Sequence, residues 1–173
     1  PWQDVHGFYD GLALVSNGGK WGFIDTTGRL VIDAAFSTAG RFSEGLAAVM
    51  VSGKYGYINK KGEIVIKPEF ETAETFSEGL AAVKINGKKG FISTEGRIVI
   101  PAQYDCVKDF SEGFAAVLPS GRETSIGISC FGKWGYIDKV GNYAIEPQFE
   151  GADDFSEGLA AVRVNGKAGY IDK

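Results

Sequence analysis

Residues 42–59 read FSEGLAAVMVSGKYGYIN: a short motif, an apolar run, a glycine turn and a second apolar run. The first motif recurs at 8–12 (FYDGL), 76–80 (FSEGL), 110–114 (FSEGF) and 155–159 (FSEGL). Its glycines at positions 11, 45, 79 and 113 are 34 residues apart, and the last interval is longer. A fixed period of this length is the signature of a tandem repeat protein.

Each repeat contains short apolar runs bounded by turn residues, which is typical of β-strands. In the second repeat these runs are 46–51, 55–59 and 64–66, and the turns between them contain glycine. The segment 70–76 then has to cross back to the starting end, as a short fourth strand or an extended crossing. Pro68 lies just past the third run, so we predict that this run is an outer strand.

Both faces of the predicted strands are apolar. Tyr55 and Tyr57 share one face of their strand, while Gly56 and Ile58 share the other. Sheets of this kind are covered on both sides, and the neighbouring repeat is the simplest cover. We expect an aromatic ring of one sheet to enter the gap that a glycine leaves on the next.

The resulting prediction is an all-β tandem array of five small antiparallel sheets, each with three or four strands, stacked face to face. A propeller-like ring or arc is favoured, and an elongated β-solenoid is the alternative. One domain spans 1–173, with units at 8–41, 42–75, 76–109, 110–154 and 155–173, the last incomplete. Structural roles are assigned to the repeated positions Trp21, Gly22, Tyr55, Gly56, Gly90, Trp134, Gly135 and Gly169.

The segments KWGFID at 20–25 and KWGYID at 133–138, with FSEGLAAV upstream in the repeat, resemble the bacterial WG repeat, also called the KWG repeat. The resemblance covers nearly the whole chain in five copies, although Tyr55, Lys89 and Ala168 replace the tryptophan. It implies a β-rich repeat protein without an agreed biochemical activity. It supplies no catalytic residues.

Composition narrows the classes of function. The net charge of −4 gives no general attraction to nucleic acid or to anionic membranes. No apolar run approaches the roughly 20 residues that a membrane-spanning helix needs, so we predict no membrane insertion. Metal-ligand spacings and phosphate-binding loops are absent from the sequence, and we predict no cofactor and no metal.

We also predict that the protein is not an enzyme. His6 is the single histidine, and a surface loop position explains it more simply than a catalytic dyad. The Ser-Glu pairs of the FSEG motif recur too often for one active site. Capping of a turn by side-chain to backbone hydrogen bonds fits them better.

Charge is distributed unevenly along each repeat. Acidic residues gather in the crossing segments and FSEG motifs, whereas a lysine follows the glycine of each turn between the first two strands, from Lys20 to Lys167. This distribution predicts one acidic and one basic rim, with a charged partner on one of them. Ordinary solvated loop charge is the alternative.

The insertion at 118–131 is the one segment that breaks the repeat. Loops on a rigid scaffold often carry function, and partner-binding roles are assigned to Arg122, Glu123, Ile126 and Phe131. A neutral lengthening of the loop is the alternative. A disulfide between Cys106 and Cys130 would anchor it, and the sequence leaves that pairing open.

These features predict a non-catalytic binding or scaffold module for a protein partner. Binding of a glycan or cell wall through the aromatic-glycine hairpins is the alternative. Trp21 and Trp134 would stack on sugars in that case, whereas their repeated positions favour a place in the core.

Overall fold

A computed structural model describes residues 2–124 and 127–173 of the chain. Strands and turns make up these residues, and no helix occurs among them. In chain order the strands are β1 (Asp4–Tyr9), β2 (Leu12–Asn17), β3 (Lys20–Asp25), β4 (Leu30–Phe36), β5 (Leu46–Val51), β6 (Lys54–Asn59), β7 (Ile64–Phe70), β8 (Thr72–Ala73), β9 (Leu80–Ile85), β10 (Lys88–Ser93), β11 (Ile98–Tyr104), β12 (Cys106–Val107), β13 (Ala115–Leu118), β14 (Arg122–Thr124), β15 (Gly127–Ser129), β16 (Trp134–Ile137), β17 (Tyr143–Phe149), β18 (Gly151–Ala152), β19 (Leu159–Val164) and β20 (Lys167–Asp172).

Five small antiparallel sheets follow one another along the chain. Their strand orders are β1-β2-β3-β4, β5-β6-β7, β8-β9-β10-β11, β12-β13-β16-β17 and β18-β19-β20, and β14 and β15 form a separate hairpin. We call β3, β6, β10, β16 and β20 the central strands. The strands β4, β7, β11 and β17, which follow the central strands of the first four sheets, are the closing strands.

Tight turns join the first two long strands of each sheet except the fourth, where the insertion lies between β13 and β16. In the third sheet Asn86 and Gly87 both have positive φ, at 49° and 80°, and Ile85 pairs with Lys88. Asparagine and glycine adopt this left-handed conformation at little cost, and two such residues match the twist of the flanking strands. The Asn-Gly pair therefore fixes the hairpin and its register.

The segment that crosses back after each closing strand joins the following sheet. Thr72 and Ala73 form β8, which pairs with Lys84 and Val83 of β9. The closing strands lie at a sheet edge, as the proline position indicated, but Pro68 is inside β7 instead of past its end. An edge position satisfies proline because it has no N–H to donate.

The sheets are stacked face to face, which confirms the predicted architecture. Each of four buried clusters draws its side chains from two consecutive sheets. The phenylalanine of each FSEG motif packs on the central-strand aromatic of the sheet before it. The ring centroids are 4.7 Å apart for Phe23–Phe42, 4.8 Å for Tyr57–Phe76, 4.8 Å for Phe91–Phe110 and 4.9 Å for Tyr136–Phe155.

In the first four sheets the central-strand glycine contacts the closing strand of its own sheet, and not an aromatic ring of the neighbouring sheet as we expected. A Cβ at Gly56 would lie 2.5 Å from the Ile66 carbonyl oxygen and 2.7 Å from the Pro68 nitrogen. The closing strand of the same sheet therefore fills the gap with its backbone, and the predicted entry of a neighbouring aromatic ring is wrong. Pairing shifts register between Tyr55 and Tyr57, so the closing strand bulges toward the glycine.

Both ends of the stack are open. The residues of β1 are all exposed at one end, and five of the six residues of β20 are exposed at the other. The sheets therefore form an arc that is not closed into a ring.

Candidate functional site

Side-chain hydrogen bonds of the FSEG motifs connect each repeat to the next. The Ser43 hydroxyl donates to the Phe76 carbonyl oxygen at 2.8 Å, and the Glu44 carboxylate accepts the Gly79 N–H at 3.0 Å. These are side-chain to backbone bonds, as the sequence indicated, but they join neighbouring repeats and do not cap their own turn. The same carboxylate-to-glycine bond occurs for Asp10–Gly45, Glu78–Gly113 and Glu112–Gly158.

The hydrogen bond between Glu78 and Gly113 affects the pKa of the Glu78 carboxyl group. Partial desolvation opposes the charged carboxylate, but the Gly113 N–H and the Lys139 ammonium more than offset it. The pKa of Glu78 therefore lies below its ordinary value. The carboxylates of the motif are structural groups held by backbone amides.

The two ends of the sheets carry mixed charge. At the hairpin end, Asp105 binds Lys88 at 2.5 Å, and Glu71 accepts the Gly87 N–H. At the FSEG end, Lys139 pairs with Glu78 at 3.1 Å. The predicted separation into an acidic and a basic rim is wrong, because the crossing segments bring carboxylates to the hairpin lysines.

Acidic residues of consecutive repeats converge next to the FSEG motifs. Desolvation raises the pKa of Asp109, and the charges of Glu74 and Asp154 raise it further, while Lys89 and Arg41 lower it. These groups come from the segments that precede four consecutive FSEG motifs, apart from Lys89 on β10. The arc therefore gathers charges from several repeats on one side.

A cavity of about 510 Å³ opens between the third and fourth sheets. This volume falls within the range of small-ligand and side-chain pockets. Its walls carry both charge signs and one indole ring. The lining residues are Lys84, Gly87, Lys89, Asp105, Cys106, Val107, Lys108, Cys130 and Trp134.

A disulfide ties the insertion to the wall of this cavity. Cys106 on β12 is bonded to Cys130, with 5.8 Å between their Cα atoms. Trp134 is buried beside the bond, and its indole N–H donates to the Cys130 carbonyl oxygen at 3.3 Å. The pairing that the sequence left open is therefore made, and it fixes one end of the insertion against the fourth sheet.

The disulfide yields a direct chemical prediction. In native buffer the chain has no free thiol, and reduction under denaturing conditions increases its intact mass by two hydrogen atoms. Reduction also lowers the stability of the fold, because the bond restricts the unfolded chain. Thiol titration and mass spectrometry with and without reductant measure this, and two free thiols in the folded protein would contradict it.

The structure places the four predicted partner-binding residues as follows. Arg122 and Glu123 lie on β14, where they pair with Ser129 and Ile128 of β15. Phe131 follows the disulfide, and 75% of its surface is exposed. Ile126 lies outside the described residues.

Sequence reasoning missed the cavity itself. Lys84, Lys89 and Asp105 come from the third sheet and the crossing segment after it, whereas Trp134 comes from the fourth. Each stands at an ordinary position of its repeat, so no motif distinguishes them. The available signal was Cys106, because its pairing with Cys130 brings the insertion to that crossing segment.

The residues given structural roles occupy equivalent places on the central strands. Gly22, Gly56, Gly90 and Gly135 face closing-strand backbone, while Gly169 has open space beside it. Trp134 is buried, and Trp21 and Tyr55 are half-buried and pack against core clusters. His6 lies exposed on strand β1, not in a loop, with its ring 5.3 Å from that of Trp21.

The described residues contain neither a metal-binding cluster nor a membrane-spanning helix. Among residues 2–124 and 127–173, no group of three or more histidine, cysteine, aspartate or glutamate residues is arranged to hold a metal ion. The same part of the chain contains no helix of the length and apolarity that crossing a membrane requires.

Five stacked antiparallel sheets, connected by repeated side-chain hydrogen bonds and aromatic contacts between neighbours, define a β-propeller-like repeat protein. The chain belongs to the WG repeat family. Its sequence matches the family described as "WG containing repeat" at residues 2–21, 21–55, 55–88, 90–118 and 134–167. The family resemblance of the sequence is therefore confirmed.

Solved structures of propeller-like proteins have a similar fold. Kluyveromyces lactis Hsv2 with a complete loop 6CD is 9% identical, with a TM-score of 0.55 over 99% of this chain and 59% of that one. The form with that loop replaced by a Gly-Ser linker is 11% identical, with a TM-score of 0.58 over 91% and 59%. A eukaryotic initiation factor is 12% identical, with a TM-score of 0.55 over 99% and 53%.

The chain thus spans little more than half the length of these structures. At such low identity the similarity shows the fold alone. No curated protein matches the sequence.

Proposed function

We propose that this protein is a non-catalytic scaffold that binds a protein partner through the insertion and the cavity beside it. The observation that carries the proposal is the disulfide, which holds the one non-repeated segment against a cavity of about 510 Å³. In the rest of the fold, the repeated FSEG motifs form hydrogen bonds and aromatic contacts that connect one sheet to the next. The insertion is the segment whose presence the fold does not require.

Phe131 is the side chain best placed for contact with a partner. It is 75% exposed and directly follows the disulfide. Exposed aromatic side chains beside a pocket are frequent anchors of protein interfaces. The alternative of glycan binding has less support, because Trp134 is buried and Trp21 packs against the core between the first two sheets.

The proposal predicts that Phe131→Ala reduces recovery of the partner at least about tenfold, as expected for an interface anchor. The wild-type chain and the variant serve as baits in extracts of the native source, and quantitative mass spectrometry compares the captured proteins. Val140→Ala is the matched control, because Val140 is 70% exposed in the turn between β16 and β17. Equal capture by all three baits contradicts a role for the insertion.

A shortened insertion provides an independent test. Replacing residues 119–131 by two residues, together with Cys106→Ala, restores the hairpin length of the other repeats. We expect this variant to keep the circular dichroism spectrum of the sheets and to lose the partner. Retention of the partner by a folded variant would move the binding site to another part of the arc.

A further inference from the structure

The cavity between the third and fourth sheets lies where one repeat departs from the pattern of its neighbours. Among the four sheets that have a closing strand, the residue before the central-strand glycine is aromatic in three, as Trp21, Tyr55 and Trp134. In the third sheet it is Lys89, which lines the cavity. Each of the two sheets around the cavity has four paired strands, so complete repeats bound it on both sides.

An aromatic ring occupies the equivalent place at the other junctions between sheets. There the central-strand aromatic and an alanine of the next crossing segment belong to, or pack against, the same buried cluster. The pairs are Trp21 with Ala39, Tyr55 with Ala73, and Trp134 with Ala152. At the third junction the counterparts are Lys89 and Val107, and both line the cavity. The cavity therefore stands where the other junctions hold an aromatic side chain.

Two lysines stand side by side on the wall formed by the third sheet. Lys84 of β9 pairs directly with Lys89 of β10, and both line the cavity. Like charges opposite each other destabilise a pair of strands. Natural proteins depart from favourable local arrangements chiefly at functional sites. Binding therefore explains this lysine pair better than packing does.

Carboxylates balance the positive charge around the cavity. The ion pairs are Lys84–Glu71 at 4.0 Å, Lys89–Glu74 at 3.2 Å, Lys108–Asp153 at 2.5 Å and Lys88–Asp105 at 2.5 Å. Because each ammonium group has a carboxylate beside it, the cavity has no net attraction for a free anion. An uncharged group that interacts with ammonium ions is a better match, and the face of an aromatic ring is such a group.

The remaining walls of the cavity are apolar. They are formed by Val107, by the indole of Trp134 and by the disulfide between Cys106 and Cys130. Aromatic rings pack favourably against each other in edge-to-face or offset arrangements. The volume of about 510 Å³ lies in the range of small-ligand pockets, so a whole aromatic side chain has room in it.

We propose that the cavity receives an aromatic side chain, tryptophan or tyrosine, of the protein partner. This inference rests on the proposed function, which places the partner on the insertion and the cavity. The ring takes the place that Trp21 and Tyr55 occupy at their own junctions. Its face lies toward the ammonium groups of Lys84 and Lys89, and its edge toward Trp134. Tryptophan and tyrosine are enriched among the anchor residues of interfaces, which insert into desolvated pockets.

The first test uses the isotope-labelled 173-residue chain and N-acetyl-L-tryptophanamide as the probe. We expect saturable NMR shifts of the Lys89 and Val107 amides and of the Trp134 indole N–H. N-acetyl-L-leucinamide binds at least about fivefold more weakly, because it has no ring to interact with the lysines and the indole. Equal binding of the two probes, or no shift at these groups, overturns the inference. So does competition by inorganic phosphate, because the cavity is then an anion site.

Matched variants locate the bound ring. Lys89→Trp supplies the aromatic side chain from the chain itself, so affinity for N-acetyl-L-tryptophanamide falls at least about tenfold while the circular dichroism spectrum is unchanged. Lys89→Tyr copies Tyr55 and is the second variant, with the same expected loss. Lys54→Trp is the control, because Lys54 is exposed on β6 and away from the cavity, and the affinity stays at the wild-type value. Wild-type affinity in a folded Lys89 variant overturns the inference.

Capture of the partner separates this inference from the proposed function. We expect Lys89→Trp to lose the partner at least about tenfold in the same extracts as Phe131→Ala. If Phe131→Ala loses the partner and folded Lys89→Trp keeps it, the insertion binds without the cavity, and only this inference is overturned. If neither variant changes capture, the proposed function fails, and the NMR experiment alone decides whether the cavity accepts an aromatic ring.

Discussion

Replacing Gly90 by valine lowers the free energy of unfolding by about 3 kcal/mol, the cost of forcing atoms into a filled space. The added Cβ would lie 2.5 Å from the Ile100 carbonyl oxygen, 2.6 Å from the Ala102 nitrogen and 2.7 Å from the Pro101 carbonyl carbon. All three are backbone atoms of the closing strand β11, so no side chain can rotate away. The strand has to leave the sheet edge or lose its bulge.

The same substitution at Gly169 serves as the control. Gly169 stands at the equivalent place of β20, where an added Cβ meets no atom within 4 Å. We expect Gly169→Val to change the free energy of unfolding by less than about 0.5 kcal/mol, as is usual for an exposed site. Urea denaturation followed by tryptophan fluorescence measures both variants. Equal destabilisation would show that the glycines are needed for a reason other than the closing strand.

The glycine positions show which features of the fold can be predicted from the sequence and which cannot. The period and the turn residues predict the sheets, and the apolar faces of the strands predict their stacking, because both patterns are visible within a single repeat. The role of Gly56 is not predictable in this way, since it depends on a bulge that shifts the register between β6 and β7. A bulge is a property of two paired strands, and neither strand alone contains a signal for it.

Charge placement shows a similar limit. The alternating strand directions correctly put the FSEG motif and the hairpin at opposite ends of a strand. They do not say where the crossing segment ends, and Asp105 reaches Lys88 at the hairpin end. The net charge at each end of the sheets depends on contacts between side chains of two neighbouring repeats. The spacing of residues within one repeat does not predict these contacts.

The candidate site was predictable only in part. The insertion is visible as a break in the period, and Phe131 within it is exposed. The cavity beside the insertion lies between two sheets, and its walls are ordinary repeat positions. The disulfide connects the two features, and whether two cysteines lie within bonding distance is a matter of three-dimensional structure.

Replacing Phe76 by alanine lowers the free energy of unfolding by about 4 kcal/mol, a value typical of a large buried aromatic residue. Phe76 is 2% exposed and packs on Tyr57 of the preceding sheet, with 4.8 Å between the ring centroids. Its carbonyl oxygen also accepts the Ser43 hydroxyl, but the substitution leaves that backbone group in place. The loss is therefore one of apolar packing between the second and third sheets.

Phe8→Ala is the matched control. Phe8 occupies the same place in the first repeat, where there is no earlier sheet among the described residues, and it is 50% exposed. We expect a loss of about 1 kcal/mol or less, since only part of its surface is withdrawn from water. Urea denaturation compares the two variants. A similar loss for both would show that the motif stabilises its own repeat and not the junction with its neighbour.

Phe76→Ala also changes how the arc unfolds. In a repeat protein the stability is a sum of terms for each repeat and for each junction between neighbours. Weakening one junction lets the sheets on its two sides unfold at different urea concentrations, so the apparent m-value decreases. Hydrogen exchange then reports lower protection in β5–β7 or in β8–β11 than in the rest of the arc. An unchanged m-value with a uniform loss of protection would mean that the five sheets unfold as a single cooperative unit.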